Sequence, residues 1–296
     1  MSEAINAFCV DVEEWFHVCG FDNPYSDPSS WDAAPAEVVE DTEIILSLLD
    51  EVGAKGTFLT VGWVAEKYPE LVKRIADGGH EVGCHGYHHK LVFEQTPAEF
   101  EEDLVKALTA LRAASGQPVR AYRAPGFSMT NECLWAYPIL ARHGITIDTS
   151  IVPAPRSHGG MTGVPREPFL LRTEEGNITC FPVSVLDVGK RTLPFSGGGY
   201  LRLFPLALMR LGFWQNHRAG IPGMSYIHPR EVNPHHPRMR MPMLRDFKYH
   251  VNLASTVPKL RALLAAYPFT TVADVLGRRP DVRPHVVSGT RIVAVS

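Results

Sequence analysis

Residues 56–85 read GTFLTVGWVAEKYPELVKRIADGGHEVGCH. Two apolar runs, Gly56–Gly62 and Glu81–His85, flank a helical segment, Val64–Ala76, that is closed by Gly78 and Gly79. A helix between two strands makes a crossover, so the strands run parallel. The alternation extends in both directions. Upstream, Ala7–Asp11 (AFCVD) is a short strand, and Ala36–Val52 places Val38, Thr42, Ile45, Leu46 and Leu49 on one helical face before Gly53 stops it. Downstream, Thr96 reads as an N-cap, with Pro97 at the first helical position and Glu99 three residues after the cap. The helix it opens has a stripe of Phe100, Leu104, Leu108 and Leu111. Ala121–Ala124 is a fourth strand, a helix runs from about Asn131 to Arg142, and Ile145–Ser150 (ITIDTS) is a fifth strand. Repeated strand–helix units favour an α/β barrel with a parallel sheet.

The second half is less regular. Phe169–Thr173 and Asn177–Val185 look like a hairpin, Pro205–His217 a helix, and Met224–His228 (MSYIH) a late strand. Pro229–Met243 reads as a long loop, Ser255–Ala266 as a last helix and Phe269–Ala273 as a last strand. The reading is one domain over residues 1–276, with an extension from about 232 and a peripheral tail over 277–296.

Charge and composition exclude several classes. The chain has 296 residues, with 29 Lys+Arg against 32 Asp+Glu, a net charge of −3. A near-neutral chain lacks the basic face that nucleic acids require. No apolar run approaches the roughly 18–20 residues of a membrane span. Met1–Phe8 carries an acid and no basic n-region, which predicts a cytoplasmic chain. Five cysteines without a C-x-x-C pair argue against a disulfide framework, and Cys9 and Cys84, on presumed strands, read as buried small hydrophobes.

Chemistry-bearing residues fall at strand ends. Asp11 ends the first strand, with Glu13 and Glu14 beyond it; His85 ends the third, with His88 and His89 behind it. Arg123, Asp148 and His228 end the fourth, fifth and late strands. In a parallel barrel these ends share one mouth. His85-x-x-x-His89 with a nearby carboxylate suits a two-His-one-carboxylate metal site, although such histidines also occur as ordinary surface groups. Spacing does not decide between His88 and His89. Strand alternation puts Asp11 and Glu13 on one side and Glu14 on the other, so Asp11 and Glu13 form the favoured acid pair, one to ligate and one to take a proton. Arg123 would hold Asp11, and Asp148 would orient His228 as an acid. Trp15, Phe16 and Phe127 either stack on sugar rings or pack the mouth. Arg238, Arg240 and Arg245 either meet an anionic group or form a solvated loop. Gly197–Gly199 is no phosphate loop, since no G-K-[ST] follows; it allows close backbone approach.

The runs FCVDVEEWF, HGYHH, RAPGFS, IDTSIVP and YIHPRE resemble, in order, the five motifs of the polysaccharide deacetylases of carbohydrate esterase family four, the NodB-homology group. GGGYLRLFP at 197–205 resembles the branch found at exopolysaccharide loci. The resemblance implies a distorted (β/α)7 barrel, a divalent metal, usually zinc, and hydrolysis of an N-acetyl group on an amino sugar within a carbohydrate substrate. It implies Asp11 as general base, Glu13, His85 and His89 as metal ligands, Arg123 as tether of the base, His228 as general acid and Asp148 as the acid that tunes it. The backbone N–H of Gly126 is the expected oxyanion donor. Val12 stands where the family's usual acidic ligand follows the base, and Glu13 takes that role at a different offset. Two competing expectations are an amidohydrolase that opens cyclic amides and a non-catalytic carbohydrate-binding relative.

Overall fold

A computed structural model describes residues 5–155, 159–189, 191–279 and 281–295. The first half alternates as the sequence predicts: β1 (Asn6–Val12), α1 (Val38–Glu51), β2 (Thr57–Thr60), α2 (Gly62–Lys67), α3 (Pro69–Asp77), β3 (Glu81–Cys84), α4 (Pro97–Ser115), β4 (Ala121–Tyr122), α5 (Ala136–Arg142) and β5 (Ile147–Asp148). The second half contains β6 (Phe169–Thr173), β7 (Gly176–Cys180), β8 (Val185–Val188), β9 (Arg191–Pro194), α6 (Gly198–Leu203), α7 (Leu206–Arg218), β10 (Met224–Ile227) and α8 (Met243–His250). It ends with α9 (Thr256–Ala266), β11 (Phe269–Thr270), α10 (Val272–Gly277), β12 (Arg283–Ser288) and β13 (Arg291–Ala294).

The sheet runs β10–β1–β2–β3–β4–β5–β7 with every neighbouring pair parallel. The chain after β7 continues beside β5, Phe181 N–H donating to Asp148 O and Val183 N–H to Ile151 O. Serine side chains stitch the seam back to β10: Ser184 Oγ accepts from Met224 N–H at 2.8 Å, and Ser196 Oγ donates to Ser184 O at 3.3 Å. This irregular seam makes the barrel a distorted (β/α)7 one.

Strand parity sorts the core. Phe8, Val10 and Val12 point outward and pack with Phe58, Tyr122 and the helices. Ala7 and Cys9 point inward and pack with Leu59, Ala121, Ile147, Met224 and Tyr226. Because β1 is covered on both faces, all seven of its residues are buried, as expected of a parallel strand. Cys9 and Cys84 are fully buried, which pushes both thiols up to about 12.

Several sequence expectations change. The helix read over Val64–Ala76 is two helices, because Tyr68 precedes Pro69 and leaves the helical region at φ −127°, ψ 60°. The helix expected from Asn131 starts at Ala136, since Thr130 Oγ1 accepts from Glu132 N–H in a local turn. The stretch Pro229–Met243 is no uniform loop: it opens with a 3-10 turn, Pro229–Val232, and leads into α8, which the pattern did not signal. Of the segment read as one strand over Asn177–Val185, the last residue belongs to a separate hairpin, β8–β9. The tail after Pro280, expected to be peripheral, forms the β12–β13 hairpin, and β12 pairs with β6 to extend the sheet at its far edge. The Thr96 capping box is present as read.

The first turn of α1 holds Asp41, which is buried with one carboxylate oxygen unpaired. Burial pushes its carboxyl up to about 7, against a side-chain hydrogen bond from Asn233, and Glu37, Glu14 and Glu40 add to the rise. A folded-state value above the unfolded one stabilises below the unfolded value, and the gain is lost as pH rises through the folded value. Relative to Asp41→Asn, the wild-type protein is therefore expected to lose stability from about pH 4 to pH 7, at up to ~1.4 kcal/mol per pH unit. Urea unfolding across that range checks the slope; parallel curves for the two proteins refute it.

Candidate active site

Inward parity carried past the end of β1 brings Asp11 and Glu13 into the barrel mouth. Glu13 Oε2 lies 2.6 Å from His89 Nε2 and 3.7 Å from His85 Nε2. One ligand atom from each of the three lies within 4.8 Å of the others, and all three residues are buried. His85 follows β3, and its Nδ1 contacts the Arg123 carbonyl at 2.8 Å. A carbonyl only accepts, so Nδ1 carries the proton and Nε2 turns its lone pair toward Glu13. His89 adopts φ +54°, a left-handed backbone that turns its ring back over the mouth. Its Nε2 is buried with no hydrogen-bond partner despite the nearby carboxylate. Burial would raise the Glu13 carboxyl, but the charges of His89 and His228 hold it well below the usual range. An ionised carboxylate, a tautomer-fixed imidazole and an orphaned imidazole nitrogen make a donor set suited to a divalent cation.

Glu14 and His88, the neighbours that the sequence left open, lie elsewhere. Glu14 accepts from Glu37 N–H at 3.2 Å and Val38 N–H at 3.3 Å, capping the start of α1. His88 Nδ1 pairs with Asp103 of α4 at 2.8 Å. Opposite parity accounts for Glu14, and the Asp103 anchor for His88.

Arg123, inward on the chain after β4, is fully buried. Its Nη1 donates to Asp11 Oδ1 at 2.5 Å, its Nε donates to Thr149 O, and its guanidinium lies 5.2 Å from the Phe127 and Tyr226 rings. The Asp11 carboxylate is fixed by that bond. Its other oxygen, Oδ2, lies 3.8 Å from His228 Nε2. His228 Nε2 is also 3.8 Å from Glu13 Oε1, so the imidazole faces the cluster across the mouth.

The partner expected for His228 is corrected. Asp148 does not meet it: Asp148 accepts from Tyr137 Oη at 3.1 Å and from the Ser150 hydroxyl. The reason is parity. Ile147 is the inward residue of β5, so Asp148 points outward to α5, where burial pushes its carboxyl up to about 6. The carboxylate on His228 is Glu231, whose Oε2 accepts from His228 N–H at 2.9 Å and lies 3.2 Å from Nδ1. Burial would raise the Glu231 carboxyl, but Arg202 of α6, donating to its Oε1 at 2.8 Å, leads the groups that hold it below the usual range. Gly198 makes room: a Cβ there would lie 1.8 Å from Glu231 Oε2. The glycine run at 197–199 thus serves close approach, as the sequence suggested. The His228–Glu231 spacing of three, within YIHPRE, was the available signal for this pair.

The aromatic expectation is also settled. Trp15, Phe16 and Phe127 are at most 4 % exposed, and Trp15 Nε1 donates to Pro35 O at 2.9 Å, so these rings pack the mouth and offer no platform to a sugar. Gly126 lies in the turn Pro125–Phe127 just after Arg123, with φ +60°. Besides Glu231 and Arg202, two further residues escaped sequence reading. Cys19 places its thiol 3.2 Å from His89 Nδ1, and His17 stacks on His89 at 5.7 Å. No spacing or pattern marks either one.

Comparison with known proteins gives matches on both halves of the chain. Residues 29–146 match the polysaccharide deacetylase family, and residues 149–277 match a family described as a domain of unknown function, DUF3473. A peptidoglycan-N-acetylglucosamine deacetylase from Bacillus cereus is 34% identical over 99 residues, 33% of this chain and 36% of its own length. A peptidoglycan deacetylase from Helicobacter pylori is 31% identical over 111 residues, 36% of each chain. The chain thus spans about a third of the length of these curated relatives. A Mycobacterium smegmatis structure classed as a polysaccharide deacetylase superposes with a TM-score of 0.67 at 19% identity, over 97% of this chain and 95% of that one, and so shares the fold. Residues 29–146 of this chain thus carry a polysaccharide deacetylase domain of the NodB, carbohydrate esterase family four type, a family of hydrolases acting on carbon–nitrogen bonds other than peptide bonds.

Proposed function

We propose that this protein removes N-acetyl groups from an amino sugar in a poly- or oligosaccharide or its precursor, in exopolysaccharide biosynthesis, with zinc as the resident cation. The observation that carries this reading is the convergence of Glu13, His85 and His89 beside Asp11 and opposite His228. The DUF3473 match over the second half is consistent with the exopolysaccharide branch. Five unpaired cysteines suit a reducing, cytoplasmic compartment.

Glu13, His85 and His89 are the residues that would hold the cation. When bound, it supplies Lewis acidity that makes a water nucleophilic near neutral pH. The remaining chemistry belongs to the side chains. Asp11, oriented by Arg123, takes a proton from the attacking water. The backbone N–H of Gly126 donates to the oxygen of the acetyl group as negative charge develops there. His228, protonated on Nε2, gives that proton to the departing amine. Glu231 accepts the Nδ1–H of His228 and so sets the ring angle. Arg202 in turn fixes Glu231. Asp148 supports the β5–α5 contact and stands one layer away.

Asp11→Asn is expected to keep bound metal and lose turnover on N-acetylglucosamine oligomers; acetate release near the wild-type rate would remove Asp11 as the base. His228→Ala is expected to cost roughly 10²- to 10⁴-fold in rate. Glu231→Gln is expected to lower kcat roughly 10- to 100-fold with little change in KM, and more than Asp148→Asn does; the reverse order would return the orienting role to Asp148. Elemental analysis should find about one zinc per chain in the wild type and far less in His89→Ala. Chelation should abolish acetate release, and full activity in chelator would sink the metal-dependent reading.

A further inference from the structure

The three most exposed large apolar side chains among the described residues stand together on α8: Met243 (88 %), Leu244 (66 %) and Phe247 (53 %). Their spacing puts them on one helical face. A helix on a soluble domain ordinarily turns such a face inward. Here the inward side is polar. Arg245 donates to the Cys19 carbonyl and lies 4.8 Å from the Phe21 ring, and the Tyr249 hydroxyl donates to the Trp15 carbonyl. Arg202 gathers the carbonyls of Lys248, Tyr249 and Val251 at the end of the helix. The helix is anchored by its polar groups and presents its apolar side outward.

Charge around that face departs from the rest of the chain. Residues 238–248, RMRMPMLRDFK, carry Arg238, Arg240, Arg245 and Lys248 against Asp246, a net +3 within a chain of net −3. Arg238, Arg240 and Lys248 are exposed beside the apolar residues. We propose that α8 and the preceding stretch dock the protein onto an anionic lipid membrane. Met243, Leu244 and Phe247 enter the headgroup region, and the three exposed cations meet lipid phosphates. No helix among the described residues is long and apolar enough to cross a membrane, so the contact made by α8 is peripheral. A second copy of the chain fits this face poorly, because a two-fold contact would set one +3 stretch against another. Arg245 holds the Cys19 carbonyl, and the Cys19 thiol touches His89, so the docked face lies two contacts from the metal cluster.

The test uses the full chain and vesicles of phosphatidylcholine, alone or mixed with phosphatidylglycerol. Its readout is co-sedimentation, which needs no turnover and is independent of the deacetylase reading. Each exposed cation near an anionic surface is worth about fivefold, so binding to the mixed vesicles should be roughly 100-fold tighter than to neutral ones and should weaken with salt. The triple variant Met243→Ser/Leu244→Ser/Phe247→Ser and the pair Arg240→Glu/Lys248→Glu should each lose most of this binding while retaining the wild-type circular dichroism and thermal melt. Absence of binding, equal binding to both vesicle types, or binding unchanged in the variants overturns the proposal. Self-association that the triple variant abolishes, without vesicle binding, assigns the face to a second copy and overturns it as well.

Discussion

The Asp11–Arg123 contact sets the terms for the mouth of this barrel. Both groups are buried, and a charge taken out of water must find a partner. Removing one partner of such a pair costs about 3–5 kcal/mol, since the other remains charged in a dry site. Arg123 answers this by spending its donors on Asp11, Thr149 and the Met224 sulfur, and by lying against two aromatic rings. Its own carbonyl then fixes the tautomer of His85. One buried guanidinium residue therefore orients both Asp11, the proposed base, and His85, a proposed metal ligand. Side chains immobilised in this way lose little freedom when substrate arrives.

A second buried ion pair does the corresponding work across the mouth. Arg202 and Glu231 come from α6 and from the turn after β10, both in the half of the chain that departs from a regular barrel. Glu231 reaches His228, and Arg202 also holds the end of α8 through its carbonyls. The irregular half is thus tied into the site through hydrogen bonds to charged groups, each worth roughly 1.5–3 kcal/mol. The same arrangement keeps α8 with its apolar side outward, because its polar groups are already committed inward.

Much of this was legible in advance. The βα alternation, the Thr96 cap and the convergence of Asp11, Glu13, His85, Arg123 and His228 all follow from local pattern and strand ends. The parity rule that separated Glu13 from Glu14 would also have separated Asp148 from the mouth: Ile147 and Thr149 are the inward residues of that strand, and Asp148 faces Tyr137. Proline explains the break between α2 and α3 just as locally. The aromatic residues were ambiguous because a flat apolar ring serves a sugar platform and a packed wall equally well, and only burial distinguishes the two.

What the sequence determined by itself is whatever depends on neighbours along the chain: element order, caps, and which face of a strand each side chain takes. Tertiary structure alone decided which of His88 and His89 turns inward, since Asp103, fifteen residues from His88, claims that ring. It alone brought Cys19 to His89, Arg202 to Glu231 and the end of α8 to Arg202. Those contacts join segments widely separated in the chain. They form because buried charge and unpaired backbone carbonyls must be satisfied wherever the fold places them, a demand that no local pattern records.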